Sequence, residues 1–258
     1  MLRFASLASG SRGNALLVES GPTLLMIDCG LPYRDVEQRL AAVGRAPADV
    51  TAVLVTHEHG DHVRGVATFA RRHGTPVLAS HGTGRALAAL AGDDAEIELE
   101  WFSAHRGLSI GGIDIEPFPV PHDAREPCQF VFAARGRRLG LLTDTGHVTP
   151  HIRERLAGCD ALAIEFNHEA ESLARGTYPP AVKARVASAY GHLSNAQAAA
   201  CVEALLHGGL QWIAAMHVSE RNNSREDVER ALGGVLDGRA VRFSIAEQDS
   251  VSGWIDVE

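Results

Sequence analysis

The chain carries V-T-H-E-H-G-D-H-V at residues 55–63, with His57, Glu58, His59, Asp61 and His62 crowded together directly after an apolar run. Histidine, aspartate and glutamate are the side chains that bind zinc and similar divalent ions. On extended backbone, residues two apart point to the same side, so His57 and His59 face one way and Glu58 points away. Gly60 permits a tight bend. Asp61 and His62 then open a helix and turn toward a second position beside the first. One peptide thereby begins two metal sites.

Each site needs further donors, and three distant stretches have the same form. P-H-D at 121–123 offers His122 after the apolar run Ile113 to Val120. L-L-T-D-T-G at 141–146 offers Asp144, and A-M-H-V-S at 215–219 offers His217. In each, a buried strand ends and a ligand follows, which is where α/β proteins place their sites. An aspartate set between two ions can bridge them. His73, His81, His105, His147, His151, His168 and His207 stand alone and read as hydrogen-bonded core or surface residues.

The elements that must position these groups alternate along the chain. Leu2 to Leu7 and Ala15 to Glu19 read as a β pair around the Ser/Gly loop Ser9 to Asn14, followed by strands at Thr23 to Asp28, Ala52 to Val55 and Val77 to Ala79. Helices are expected at Arg34 to Val43, Val63 to His73 and Thr83 to Leu90. The middle is β-rich, with runs at Ile97 to Phe102, Ile113 to Val120, Gln129 to Ala134 and Arg138 to Thr143. A helix at Pro150 to Ala157 leads to strand Ala161 to Glu165. Helix Ser194 to Leu206 leads to strand Trp212 to Met216, and Val241 to Ile245 with Gly253 to Val257 suggests a closing hairpin. Helices flanking a strand-rich middle imply a layered α/β fold with mixed sheets. No linker or repeat divides residues 1–258, so a single domain is expected.

Composition narrows the partners. The net charge of −8 makes the whole surface no trap for nucleic acid, leaving local basic groups such as Arg135, Arg137 and Arg138, or Lys183 and Arg185. Cys29, Cys128, Cys159 and Cys201 form no C-x-x-C pair and read as buried free thiols. No apolar stretch approaches the roughly 18 residues of a membrane helix, and the N-terminus lacks a signal-peptide segment. A cytoplasmic protein without a membrane partner is expected.

H-x-H-x-D-H followed in order by His122, Asp144 and His217 resembles the metallo-β-lactamase superfamily, and the likeness spans nearly the whole chain. S-L-A-S-G-S-R-G-N near the N-terminus, I-D-C-G at 27–30, P-H-D-A, L-T-D-T-G, G-H-L-S-N and H-V-S-E-R-N-N are more narrowly similar to the YycJ/WalJ-type branch. That branch is grouped with tRNase Z-like and RNase J-like phosphodiesterases and associated with 5′-to-3′ exonuclease activity on DNA. The resemblance implies an αββα sandwich with a dinuclear site at one edge of its two sheets. It assigns His57, His59 and His122 to a first ion and Asp61, His62 and His217 to a second, with Asp144 bridging. Pro121 departs from the pattern, which leads one to expect a serine before the histidine.

Zinc is the first expectation for the two divalent ions, with manganese and iron also suited to these donors. Such a pair, about 3.5–4 Å apart, can hold a bridging hydroxide as nucleophile. The resemblance to tRNase Z-like enzymes also marks His192, in G-H-L-S-N, for phosphate contact and proton donation to the leaving group. Glu165 resembles the glutamate that orients that histidine, and with Asp61 these complete the catalytic candidates. Nucleic acid is the expected substrate, DNA ahead of RNA. The same H-x-H-x-D-H also serves thioester, lactone, β-lactam and cyclic-phosphodiester hydrolysis. A non-catalytic metal-dependent module would be expected to have lost ligands, and none is lost here.

Overall fold

The computed structural model describes residues 1–91 and 97–258. In chain order its strands are β1 Leu2–Ala8, β2 Ala15–Ser20, β3 Thr23–Ile27, β4 Ala52–Val55, β5 Val77–Ser80, β6 Leu99–Phe102 and β7 Leu108–Ile110. They continue with β8 Ile113–Pro119, β9 Cys128–Ala134, β10 Arg137–Leu142, β11 Ala161–Glu165, β12 Trp212–Met216, β13 Arg242–Ile245 and β14 Ile255–Val257. Among the described residues they form two seven-stranded sheets, ordered β14-β1-β2-β3-β4-β5-β6 and β13-β12-β11-β10-β9-β8-β7. Both are mixed: β3 to β6 are parallel beside an antiparallel β14-β1-β2-β3, and β10 to β13 are parallel beside an antiparallel β7 to β10.

Side chains alternate across each strand, so a strand buried along its whole length needs cover on both faces. Leu16, Val18, Leu25, Ile27 and Leu54 of the first sheet meet Phe130, Phe132, Leu139 and Leu141 of the second. The opposite face of the first sheet lies under α1 (Tyr33–Ala42), α3 (Val66–His73) and α4 (His81–Ala91), through Val36, Leu40, Phe69 and Leu87. The outer face of the second lies under α5 (Pro150–Leu156), α8 (Asn195–Leu205) and α9 (Arg225–Leu236), through Ile152, Leu156, Val202, Val228 and Leu232. This is the αββα sandwich. The helix starts are chemically specified: Thr149 caps α5 by accepting from Ile152 N–H, and Ser194 with Gln197 makes a reciprocal cap on α8.

Two expectations are corrected. The helix anticipated over Val63 to His73 is two, α2 (Gly60–Val63) and α3, because Gly65 N–H leaves the helical ladder to bond Cys29 carbonyl at 2.7 Å. The anticipated closing hairpin does not form. β13 adds in parallel to β12, while β14 crosses to the other sheet and pairs antiparallel with β1, Val257 opposite Leu2. The segment between them is tied to the end of β1 instead of to itself. Ser9 N–H donates to Glu247 carbonyl, and Arg39 donates to both Leu7 and Gln248 carbonyls. The remaining helices, α6 (Ala170–Arg175) and α7 (Pro180–Val186), lie on the surface between β11 and α8. No helix among the described residues is long and apolar enough to cross a membrane.

Candidate metal centre

The C-terminal ends of β4, β8, β10, β11 and β12 supply loops where the predicted residues meet. His57 follows Thr56 at the end of β4, and Asp61 and His62 lie on α2. Nε2 of His57 lies 3.1 Å from Nδ1 of His59, which lies 3.3 Å from Nε2 of His122. On the other side, Nε2 of His62 is 3.4 Å from Asp61 Oδ2 and 3.5 Å from Asp144 Oδ2. Nδ1 of His217 is 3.1 Å from the Asp144 carboxylate and its Nε2 is 3.9 Å from Asp61. All seven predicted ligands are therefore brought together. Among the described residues, three linked sets converge within 4.8 Å: His57, His59 and His122; His57, His62 and Asp144; and Asp144 with Glu165, His192 and His217.

Backbone conformation helps aim these groups. Asp28, Asp144 and His217 adopt left-handed φ values of 60°, 52° and 50°, and each follows the end of a strand. Such positions cost a non-glycine residue about 1–3 kcal/mol and persist where the surroundings over-determine them. Here they do. Asp28 N–H donates to Leu54 carbonyl, and His217 N–H donates to Ser9 Oγ.

The ring nitrogens that face away from the cluster are held as well. His122 Nδ1 donates to Gly191 carbonyl at 3.1 Å. His62 Nδ1 donates to Asp28 Oδ2 at 2.8 Å. His57 Nδ1 donates to Thr56 Oγ1, whose hydroxyl passes its own proton toward the same Asp28 oxygen at 2.9 Å. One buried carboxylate thus fixes two imidazoles, leaving the Nε2 lone pairs of His57 and His62 turned inward. That outer arrangement is what a metal-binding histidine requires.

The fields are strong because the groups are buried. Burial alone would raise Asp61, but its hydrogen bond to His62 and the fields of His62 and His217 hold it down at about 2. Burial also works against Asp144, which His217 and His62 nevertheless keep well below the usual carboxylate range. The reverse holds for His217: burial opposes its charge, yet Asp144 lifts it to about 9. His62 is likewise raised by Asp144 and Asp28. Burial pushes His57 and His122 down, so their neutral, ligating forms are favoured. His57 and His122 are thus ready to ligate, whereas His62 and His217 would release a ring proton on binding a divalent cation.

Beside it, Glu165 is completely buried at the end of β11. Its Oε1 accepts from Thr145 N–H at 2.9 Å and Leu193 N–H at 3.1 Å, and its Oε2 accepts from His192 Nδ1 at 3.1 Å. His192 Nδ1 is also 3.7 Å from Asp144 Oδ1, so this pair borders the ligand cluster.

A model described as "Beta-lactamase superfamily domain" matches residues 23–217. The chain belongs to the β-lactamase superfamily. This superfamily member is 35% identical over 246 residues to exodeoxyribonuclease YycJ of Bacillus anthracis, covering 95% of this chain and 92% of that one. It is also 35% identical over 226 residues to exodeoxyribonuclease WalJ of Streptococcus pneumoniae D39, covering 87% and 84%. In fold it is similar to the metallo-β-lactamase fold protein YhfI of Bacillus subtilis, with a TM-score of 0.76 at 14% identity over 97% and 99% of the two chains. The β-lactamase-superfamily chain is a hydrolase of the metallo-β-lactamase fold, and its clustered donors fit divalent metal.

Several groups do more than their sequence context suggested. Asp28 follows a buried strand as the other site residues do, and that shared form is the signal that could have singled it out. Asn14 secures Asp61: its N–H donates to Asp61 carbonyl at 2.8 Å and its Nδ2 to Asp61 Oδ2 at 3.2 Å. The Ser/Gly loop is therefore scaffold for Asp61 and His217. Asn223 turns inward to Phe166 carbonyl and Asn195. Glu58 stays outside the clusters and accepts from Arg125 N–H. The solitary histidines are structural where their contacts are defined: His73 bonds Tyr33, His207 bonds Cys159 carbonyl, and His147 bonds Ala189 carbonyl. All four cysteines are buried and free.

Proposed function

We propose that this hydrolase is a dinuclear metal-dependent phosphodiesterase acting as a 5′-to-3′ exonuclease on DNA. The observation that carries the reading is the Glu165–His192 pair, 3.1 Å apart and bordering Asp144. A thioester releases a thiolate that needs no proton donor, whereas a leaving alkoxide from a phosphodiester needs a proton. Support for nucleic acid comes from the two relatives named exodeoxyribonuclease. His57, His59 and His122 would hold one ion and Asp61, His62 and His217 the other, with Asp144 shared. Zinc leads as the ion, ahead of manganese and iron. When bound, a divalent pair supplies a water acidified toward neutrality and positive charge beside the phosphoryl oxygens.

The remaining steps belong to the chain's own side chains. Glu165 orients the His192 ring by accepting from Nδ1, and the doubly protonated ring passes its Nε2 proton to the leaving oxygen. Asp61, held ionised, keeps His62 and His217 oriented on its side of the cluster. A cytoplasmic setting accords with four free, buried thiols.

End-labelled single- and double-stranded DNA and RNA, assayed with zinc and with manganese beside a thioester panel, test the reading. Processive shortening of DNA from the 5′ end is the expected result. Thioester turnover without phosphodiester turnover would overturn it. His192→Ala should lower kcat by roughly 10²–10⁴-fold while metal content, read by elemental analysis, stays near that of the parent. Loss of metal would make His192 a ligand instead.

A further inference from the structure

Asp123, the residue after His122, ties two exposed neighbours to the metal centre. Its carboxylate pairs with the Arg185 guanidinium through Nε and through Nη2, the latter at 3.2 Å. Its backbone N–H donates to Tyr190 carbonyl at 3.1 Å. Asp123 Oδ1 itself lies 3.5 Å from His122 Nε2 and 3.8 Å from His59 Nε2. Yet the Arg185 side chain is 61% exposed and Tyr190 is 60% exposed. Among the described residues, neither the Tyr190 hydroxyl nor Arg185 Nη1 has a hydrogen-bond partner.

The backbone beneath Tyr190 is firmly held. Three consecutive carbonyls, those of Ala189, Tyr190 and Gly191, accept from His147 Nδ1, Asp123 N–H and His122 Nδ1. Gly146 packs so closely that a Cβ there would stand 2.2 Å from the Ala189 carbonyl carbon. The ring thus sits on fixed backbone beside the ligands while forgoing the burial that would stabilise the fold. Lys183, on the same helix as Arg185, is instead turned back onto Ala174 carbonyl. An aromatic face and a guanidinium held by one aspartate are the two elements that grip a nucleotide, the ring by stacking and the cation through phosphate. A chain of net charge −8 depends on such local cations to hold a polyanion.

We propose that Tyr190 and Arg185 form a nucleotide-binding pair beside the metal centre, the ring stacking on a base next to the scissile linkage and the guanidinium meeting a phosphate. This rests on nucleic acid being the substrate. Asp123 then has a positioning role: it holds both groups until a phosphate competes for the arginine.

The test is equilibrium binding of a fluorescent single-stranded DNA oligonucleotide to the full chain in chelator, where no hydrolysis occurs, alongside steady-state cleavage with manganese. Tyr190→Ala should weaken binding roughly 5- to 150-fold, the range for one stacked base, and Tyr190→Phe should restore it. Abasic residues at the oligonucleotide end should weaken the parent protein and leave Tyr190→Ala unchanged. Arg185→Ala should reduce the slope of log affinity against log salt by about 0.7. Equal losses on base-containing and abasic strands, or no loss with Tyr190→Ala while the protein still cuts DNA, would overturn the pair alone. A parent protein that neither binds nor cuts nucleic acid would overturn the substrate class and the pair together.

Discussion

Replacing Glu165 by glutamine separates two tasks performed by one buried carboxylate. Oε1 takes the N–H groups of Thr145 and Leu193, and Oε2 takes His192 Nδ1. The glutamine oxygen can keep both backbone bonds, so stability should change little. Its NH₂ then faces His192 Nδ1, and two donors cannot share one bond. The ring must offer Nδ1 as acceptor and stay neutral, so the imidazolium that donates to a leaving oxygen is disfavoured. A charge-assisted hydrogen bond contributes about 1.5–3 kcal/mol, which corresponds to a fall in kcat of roughly 10- to 150-fold. Metal content should stay unchanged. Glu165→Ala also leaves two buried N–H groups without acceptors, each costing about 1–3 kcal/mol, and should melt well below both other proteins. Thermal unfolding, metal analysis and steady-state kinetics read the three effects. Wild-type turnover in Glu165→Gln would refute the reasoning, as would a glutamine variant as unstable as the alanine one.

Asp28→Asn should weaken metal binding by about 10- to 100-fold, measured by competition with a metallochromic chelator. An amide NH₂ opposite His62 Nδ1 forces that ring's proton onto Nε2, the nitrogen that faces Asp61 and Asp144; unchanged affinity would contradict this. Metal-free protein should melt highest near pH 6.5. His217, raised to about 9 against its burial by Asp144, contributes stability that is complete below its unfolded pKa of about 6.5 and lost as pH rises toward 9. His57 and His122, lowered by burial, instead favour unfolding as pH falls below about 6.5, because the unfolded rings then charge more readily. A melting temperature that climbs from pH 6.5 to 9 in chelator would show the signs to be wrong.

The clustered donors are legible because His57, His122, Asp144 and His217 each come shortly after an apolar run, and a ligand-type side chain after a buried strand is chemically conspicuous. His57 to His62 also concentrate that signal in one peptide. Asp28 escaped because its role is indirect: it touches Thr56 and His62, and residue spacing does not reveal a hydrogen bond across 34 positions. Strand positions followed from hydrophobic patterning, but partners did not. Val241 to Ile245 and Gly253 to Val257 have the local grammar of a hairpin, yet the open edges of β12 and β1 compete for them across the fold and win. α9 was readable in principle, with Ser224 capping Asp227 N–H and Val228, Leu232 and Leu236 spaced by four. α6 and α7 have exposed, weakly periodic faces, so patterning gave little to find.

The pairing of β14 with β1 has a consequence for how this protein is made. β1 is a seven-residue strand, six of its residues buried, and its outer edge is covered by only three residues from the far end of the chain. During translation that edge is complete as soon as the first strands have formed, but its cover arrives only with Ile255, Asp256 and Val257. An uncovered apolar edge invites pairing with other chains. The nascent protein therefore carries an exposed strand edge until residues 255–257 have been made. Deleting residues 255–257 would leave the clustered donors in place while making the chain sticky, so solubility should fail before chemistry does.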